Sequence, residues 1–136
     1  MAKIDQKTLV KPEIALVTTN IDGDTVTNGA IIDTKGFQSI TYLLQSGAIA
    51  AGVATPSFFA GNESNLSDGA TVAAEDLLGT IADATFADSD DDVVKFIGYR
   101  GEFRFIRLDI TTTGSTTSTD LSAIGLLGSP NLAPTV

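Results

Sequence analysis

The sequence predicts an all-β protein, a jelly-roll-like antiparallel β-sandwich of about seven or eight strands. Short β-prone runs recur along the chain, they are divided by Gly, Asn and Asp turn signals, and no stretch shows a long helical period. At 136 residues the chain is long enough to bury one modest core, so a single domain spanning residues 1–136 is expected. No internal repeat is visible.

Residues 1 to about 12 are polar, carry Lys3, Lys7 and Lys11 and end in Lys11-Pro12, which reads as an extended N-terminal arm. EIALVTTN and DTVTNGAII flank Ile21-Asp22-Gly23, and Asp-Gly between two β-prone runs predicts an opening hairpin. GFQSITYLLQSGAIA alternates, with Ile40, Tyr42 and Leu44 on one face and Ser39 and Thr41 on the other, and Gly47 and Gly52 are expected to end it. TPSFFAGNES predicts another short strand, followed by a surface loop over NESNLSDGA. Ala73 to Leu78 is too short for a free-standing helix and reads as a loop or a 3₁₀ turn.

The strongest strands lie in VVKFIGY and EFRFIRLDITTT, where Ile106, Leu108 and Ile110 share one face and Phe103, Phe105 and Arg107 the other. Gly98 and Gly101, around Tyr99-Arg100, predict a tight hairpin between these runs. GSTTSTD is a flexible connection and LSAIGLLG a last apolar strand. Pro130 and Pro134 then argue for an unpaired, extended tail over about residues 128–136. Phe58, Phe59, Phe96, Phe103 and Phe105 read as core; if both faces of the 103–110 strand are apolar, one of them is an interface.

Composition excludes much chemistry. With no Cys, His or Trp there are no thiolate or imidazole metal ligands, no disulfides, no Cys nucleophile and no His acid–base catalyst. Ser and Thr are abundant, but no base is spaced to activate one, and Glu75-Asp76 are adjacent rather than opposed as glycosidase carboxylates must be. Gly98 and Gly101 lack the pattern of a phosphate loop. The alternating Asp88, Asp90 and Asp92 suggest a Ca²⁺ loop, yet an EF-hand needs Gly and Glu where Val93 and Tyr99 stand, and a solvated loop is the simpler reading. No catalytic residue and no cofactor is implied; the expectation is a protein that binds or builds.

The net charge of −9 disfavours nucleic acid as a partner. Charge is also segregated: no Lys or Arg occurs from Gly36 to Val94, while Glu63, Asp68, Glu75, Asp76, Asp83, Asp88, Asp90, Asp91 and Asp92 all fall there. Lys3, Lys7, Lys11, Arg100, Arg104 and Arg107 are candidate partner contacts, as are Pro130 and Pro134 in the tail; a cross-strand pair within the chain is the simpler role for Arg104 and Arg107. MAKIDQKTLV lacks the apolar core of a signal peptide and no apolar run could span a bilayer, so synthesis in the cytoplasm and no membrane partner are expected.

Four segments carry a resemblance: GAIIDTKGFQSITYLLQSGAI, AAEDLLGTIADATF, VVKFIGYRGEFRFIRLDITTTG and LLGSPNLAP. From about Gly29 to Pro134 the chain resembles a family of small proteins of tailed bacteriophages and prophages encoded near the capsid genes. The resemblance implies a virion structural protein, first of all a capsid decoration (cement) protein on the capsid exterior. Such a protein would bridge subunits of the major capsid protein and self-associate as a small oligomer, a dimer or trimer. A head-to-tail connector or tail component is the alternative. EFRFIRLDITTT also resembles the closing strand of discoidin-like sugar-binding jelly rolls, which makes a carbohydrate-binding module for host attachment a further alternative, although the absence of Trp tells against it.

Overall fold

The computed structural model describes residues 6–114 and 118–131. It is a β-sandwich of two antiparallel sheets. In chain order the strands are β1 (Val10–Ile21), β2 (Val26–Asp33), β3 (Phe37–Ile49), β4 (Val53–Gly61), β5 (Ala70–Thr71), β6 (Leu77–Leu78), β7 (Phe86–Ala87), β8 (Val94–Tyr99), β9 (Phe105–Thr113) and β10 (Thr119–Pro130). The 3₁₀ turn expected between Ala73 and Leu78 occupies Ala74–Asp76. A four-residue helix, α1 (Ile81–Ala84), was not foreseen; Thr80 caps it by accepting from Asp83 N.

Sheet A has the order β1-β10-β3-β8-β6, and sheet B the order β2-β9-β4-β5 with β7 also on β4. The seven strands of six or more residues alternate between the sheets along the chain: β1, β3, β8 and β10 in A, β2, β4 and β9 in B. No two consecutive long strands pair, which is the connectivity of a jelly roll.

That alternation corrects both predicted hairpins. The Asp22-Gly23 turn, with Gly23 at φ 75, carries the chain from one sheet to the other. It is held there by Thr112 of β9, whose hydroxyl donates to Gly23 O at 2.8 Å and accepts from Thr25 N at 3.2 Å. The Arg100–Gly101 corner likewise crosses from β8 to β9. It wraps so closely over Tyr99 that a Cβ on Gly101 would lie 2.3 Å from the Tyr99 hydroxyl, and Phe103 N donates to that oxygen.

Strand pairing also reaches into both segments expected to be extended and unpaired. Val10, Lys11 and Pro12 belong to β1, opposite Gly128, Leu127 and Leu126, and Pro130 closes β10 opposite Phe37. Proline is tolerated because β1 is an edge strand and Pro130 a strand terminus. Pro56, inside β4, is tolerated for a related reason: β5 and β7 cover only the two ends of that edge, at Phe59–Ala60 and Val53–Ala54. Gly47 lies within β3 rather than ending it.

The core lies between the sheets. Ile40, Tyr42 and Leu44 of β3, Ile97 of β8, and Leu121 and Leu127 of β10 meet Phe58 of β4 and Ile106, Leu108 and Ile110 of β9. Each such side chain contributes about 1.5–3 kcal/mol through burial. The aromatic rings of Tyr42 and Phe58 meet at 4.9 Å. Among the predicted core aromatics only Phe58 is fully buried; Phe103 is exposed and Phe96 is 70% exposed.

Candidate functional site

The basic residues singled out from the sequence are spread over the molecule. Lys3 and Pro134 lie outside the described residues, and Lys7 is in the turn before β1. Lys11 pairs with Glu13 at 2.6 Å. The Arg100 guanidinium donates to Glu75 O, and its backbone N–H to Asp76 O, tying β8 to the 3₁₀ turn. Arg104 forms a bidentate pair with Asp33 at 2.8 and 2.7 Å, and Arg107 one with Asp109 at 2.7 and 2.9 Å. Both guanidiniums also stand over rings, Arg104 over Phe105 and Arg107 over Phe59. These two arginines are therefore engaged within the chain.

The Asp88–Asp92 segment does not gather its carboxylates. Asp90 Oδ2 accepts from Ala87 N and from Lys95 Nζ, both at 2.9 Å, and these two bonds, the backbone one first, hold its pKa below the usual carboxylate value. Asp91 Oδ1 accepts from Ile49 N at 2.7 Å. Asp92, at φ 54, donates its N–H to Gly47 O. Among the described residues no group of three acidic side chains is placed to share a metal ion. The loop is instead pinned to the end of β3.

The feature that sequence reading missed lies on the outer side of sheet A. Pairing register places Ile14, Ile124, Leu43 and Phe96 in one row across β1, β10, β3 and β8. Ile14 is 61% exposed, Ile124 45% and Phe96 70%. Two residues along the strands, a second row runs Pro12, Leu126, Thr41, Gly98 and Leu78, with Leu78 56% exposed. On the other side a third row runs Ser122, Gln45 and Val94, the last also exposed. None of these twelve positions carries a charge in a chain with 25 charged residues, the sum of 8 basic and 17 acidic.

The outer side of sheet B is built differently. Its rows pass through Asn28, Asp109 and Ser57, and through Ile31, Arg107 and Phe59, so the condition for an interface on β9, that both its faces be apolar, is not met: the outer one carries the Arg107–Asp109 ion pair. An antiparallel sheet with one solvated face normally alternates apolar-in and polar-out. Sheet B exposes Val26 and Ile31 as well, but sets Asp109 and Arg107 beside them, whereas the rows of sheet A hold no charge. An uncharged surface that exposes Ile14, Ile124, Phe96, Leu78 and Val94 together is of the kind that contact surfaces show.

Shallow depressions elsewhere offer less. One, about 280 Å³, lies between segments 34–40 and 99–104 and is rimmed by Arg104, already paired with Asp33. Among the described residues no helix is long and apolar enough to cross a membrane.

No family model matches the chain, and no curated protein matches it in sequence. Several solved structures share its fold. The chain is similar to the PBSX exported protein XepA, with 14% identity and a TM-score of 0.56, over 93% of this chain and 39% of that one. It is similar to VP2 of the infectious bursal disease virus subviral particle, with 15% identity and a TM-score of 0.51, over 90% and 33%. It is also similar to a Bacillus endospore appendage subunit that forms disulfide-linked pili, with 13% identity and a TM-score of 0.50, over 89% and 88%. The chain thus spans about a third to two fifths of the first two proteins, and the likeness establishes a shared jelly-roll architecture.

Proposed function

We propose that this chain is a structural protein of a tailed-phage virion, and specifically a capsid decoration protein that sits on the outer shell and bridges major capsid subunits. The observation that carries the assembly role is the uncharged apolar face of sheet A, a surface made to be covered. The architecture supports it: jelly rolls of this kind occur in a viral particle protein, the PBSX exported protein XepA and a pilus subunit. The resemblance from Gly29 to Pro134 to phage proteins encoded near capsid genes points the same way. Pairing of Arg104 and Arg107 within the chain takes two of its eight basic groups away from any phosphate backbone, which supports a protein partner over nucleic acid.

On this reading the acidic loops of residues 62–92 meet a basic part of the shell. Asp68, Asp90 and Asp91 hold backbone N–H groups and so keep these loops in fixed shapes, and a preformed surface binds at lower entropic cost than a mobile one. The test is reconstitution. Purified chain added to particles that lack it should bind saturably and raise the temperature at which the particles release their genome. Saturable binding without that rise would leave a connector or accessory role, and no binding would overturn the decoration role.

A further inference from the structure

We propose that the outer face of sheet A is the contact between two copies of this chain, packed sheet against sheet. The inference deepens the structural role above by naming which partner covers this face. Charge decides the occupant. Each copy carries −9, so a second copy is tolerated only where no like charges are brought together, and the rows through Ile14, Phe96 and Leu126 are uncharged throughout. A partner of opposite charge would instead be drawn to the acidic loops. Two carboxylates stand at the far end of these rows, Asp120, hydrogen-bonded by Asn20 Nδ2, and Asp92, beyond Gln45.

Size agrees. With a fourth uncharged row through Val10, Gly128 and Ser39, the face spans seven residues of β3 and β10; four strands about 4.8 Å apart and seven residues at about 3.4 Å each make about 19 by 24 Å. Two such faces together cover about 900 Å² in projection, and side-chain relief brings the buried area to about 1,000 Å², the lower bound for a specific interface. Sheets pack face to face about 10 Å apart with their strands near −30°, which the uncharged row from Ile14 to Phe96 permits. A two-fold arrangement uses the same patch on both copies, so the contact closes on itself and leaves the acidic loops of both copies free for the shell.

Sedimentation analysis of the purified chain, without particles, tests this. At micromolar concentration the protein should sediment at twice its 14.0 kDa chain mass. Phe96→Asp and, separately, Ile124→Asp should weaken the dimer by about 30-fold or more, the scale of losing a central anchor. Both side chains are exposed in the single chain, so the far-UV spectrum and thermal midpoint of diluted protein should stay unchanged, and Phe96→Ser provides a milder variant. A dimer that survives both substitutions would place the contact elsewhere and overturn the proposal. A monomeric wild type whose particle binding is lost in Phe96→Asp would assign this face to the shell, overturning the proposal while sparing the virion role. A dimer in solution that never binds particles would do the reverse.

Discussion

The buried hydroxyl of Ser46 on β3 donates to the backbone carbonyl of Asp90 and accepts the N–H of Val93, so one small side chain holds the acidic loop against the end of the sandwich. Ser46 N also donates to Val93 O, which makes this the point where the loop turns into β8.

Ser46→Ala removes the hydroxyl and leaves a carbonyl and an N–H without their partner in a part-buried position. The expected cost is about 1–3 kcal/mol, read by urea unfolding. Faster amide exchange should appear at Val93 and spread through residues 88–92. A variant as stable as the wild type would show that the loop is held by Asp90 and Asp91 alone.

Gly29 and Gly36 should respond very differently to alanine. A Cβ on Gly29 would lie 2.3 Å from Ala15 O and 2.5 Å from Leu108 O, both backbone atoms, where β1, β2 and β9 meet. Gly29→Ala is expected to cost about 3 kcal/mol or more through forced separation of the strands. Gly36, at φ 90 with open space around it, should lose only about 1–2 kcal/mol, from backbone strain. Equal midpoints in a thermal melt of the two variants would contradict this account of the strand junction.

Tyr42 should be better replaced by phenylalanine. Its hydroxyl is buried without a hydrogen-bond partner among the described residues, and burial pushes its pKa well up. Tyr42→Phe keeps the ring contact with Phe58 and removes the unsatisfied group, so stability should rise by about 1 kcal/mol. A loss of stability would reveal a partner for the hydroxyl.

The Asp33–Arg104 pair gives a defined acid dependence. The hydrogen bond from Arg104, first among the causes, lowers the Asp33 pKa from 3.8 to about 2. Between those values the unfolded chain binds more protons at this site than the folded one. The pair's contribution is therefore complete above about pH 4 and lost as pH falls toward 2. Both side chains are more than two fifths exposed, which limits the gain to about 1 kcal/mol or less. Denaturant unfolding of wild type and Asp33→Asn should differ by a constant amount from pH 5 to 8 and converge below pH 4. A difference that persists at pH 2 would contradict the assignment.

The fold class was legible because alternation in SITYLL and FIRLDI reports which residues face a core, and Ile40, Tyr42, Leu44, Ile106, Leu108 and Ile110 are all buried. Pairing was not. Asp22-Gly23 and Arg100-Gly101 signal a change of chain direction, but a local turn cannot say whether the next strand joins the same sheet or the facing one. That choice rests on contacts such as Thr112 with Gly23, 89 residues apart. The same limit hid the candidate site: Ile14, Leu43, Phe96 and Ile124 come from four distant segments, and only register aligns them. Phe96 alone looks like a core residue. The apolar character of Phe103 and Phe105 drew attention to β9, where Arg107 and Asp109 in fact make the outer face polar.

The central claim, a structural place in a virion, is tested most directly by copy number. Quantitative mass spectrometry of purified particles should find this chain at a fixed simple ratio to the major capsid protein, within about twofold of one to one or at a fraction such as one third, as repeated shell sites require. A ratio near one to forty, as for a neck or tail component, would contradict decoration, and absence from the particle would contradict the virion role itself.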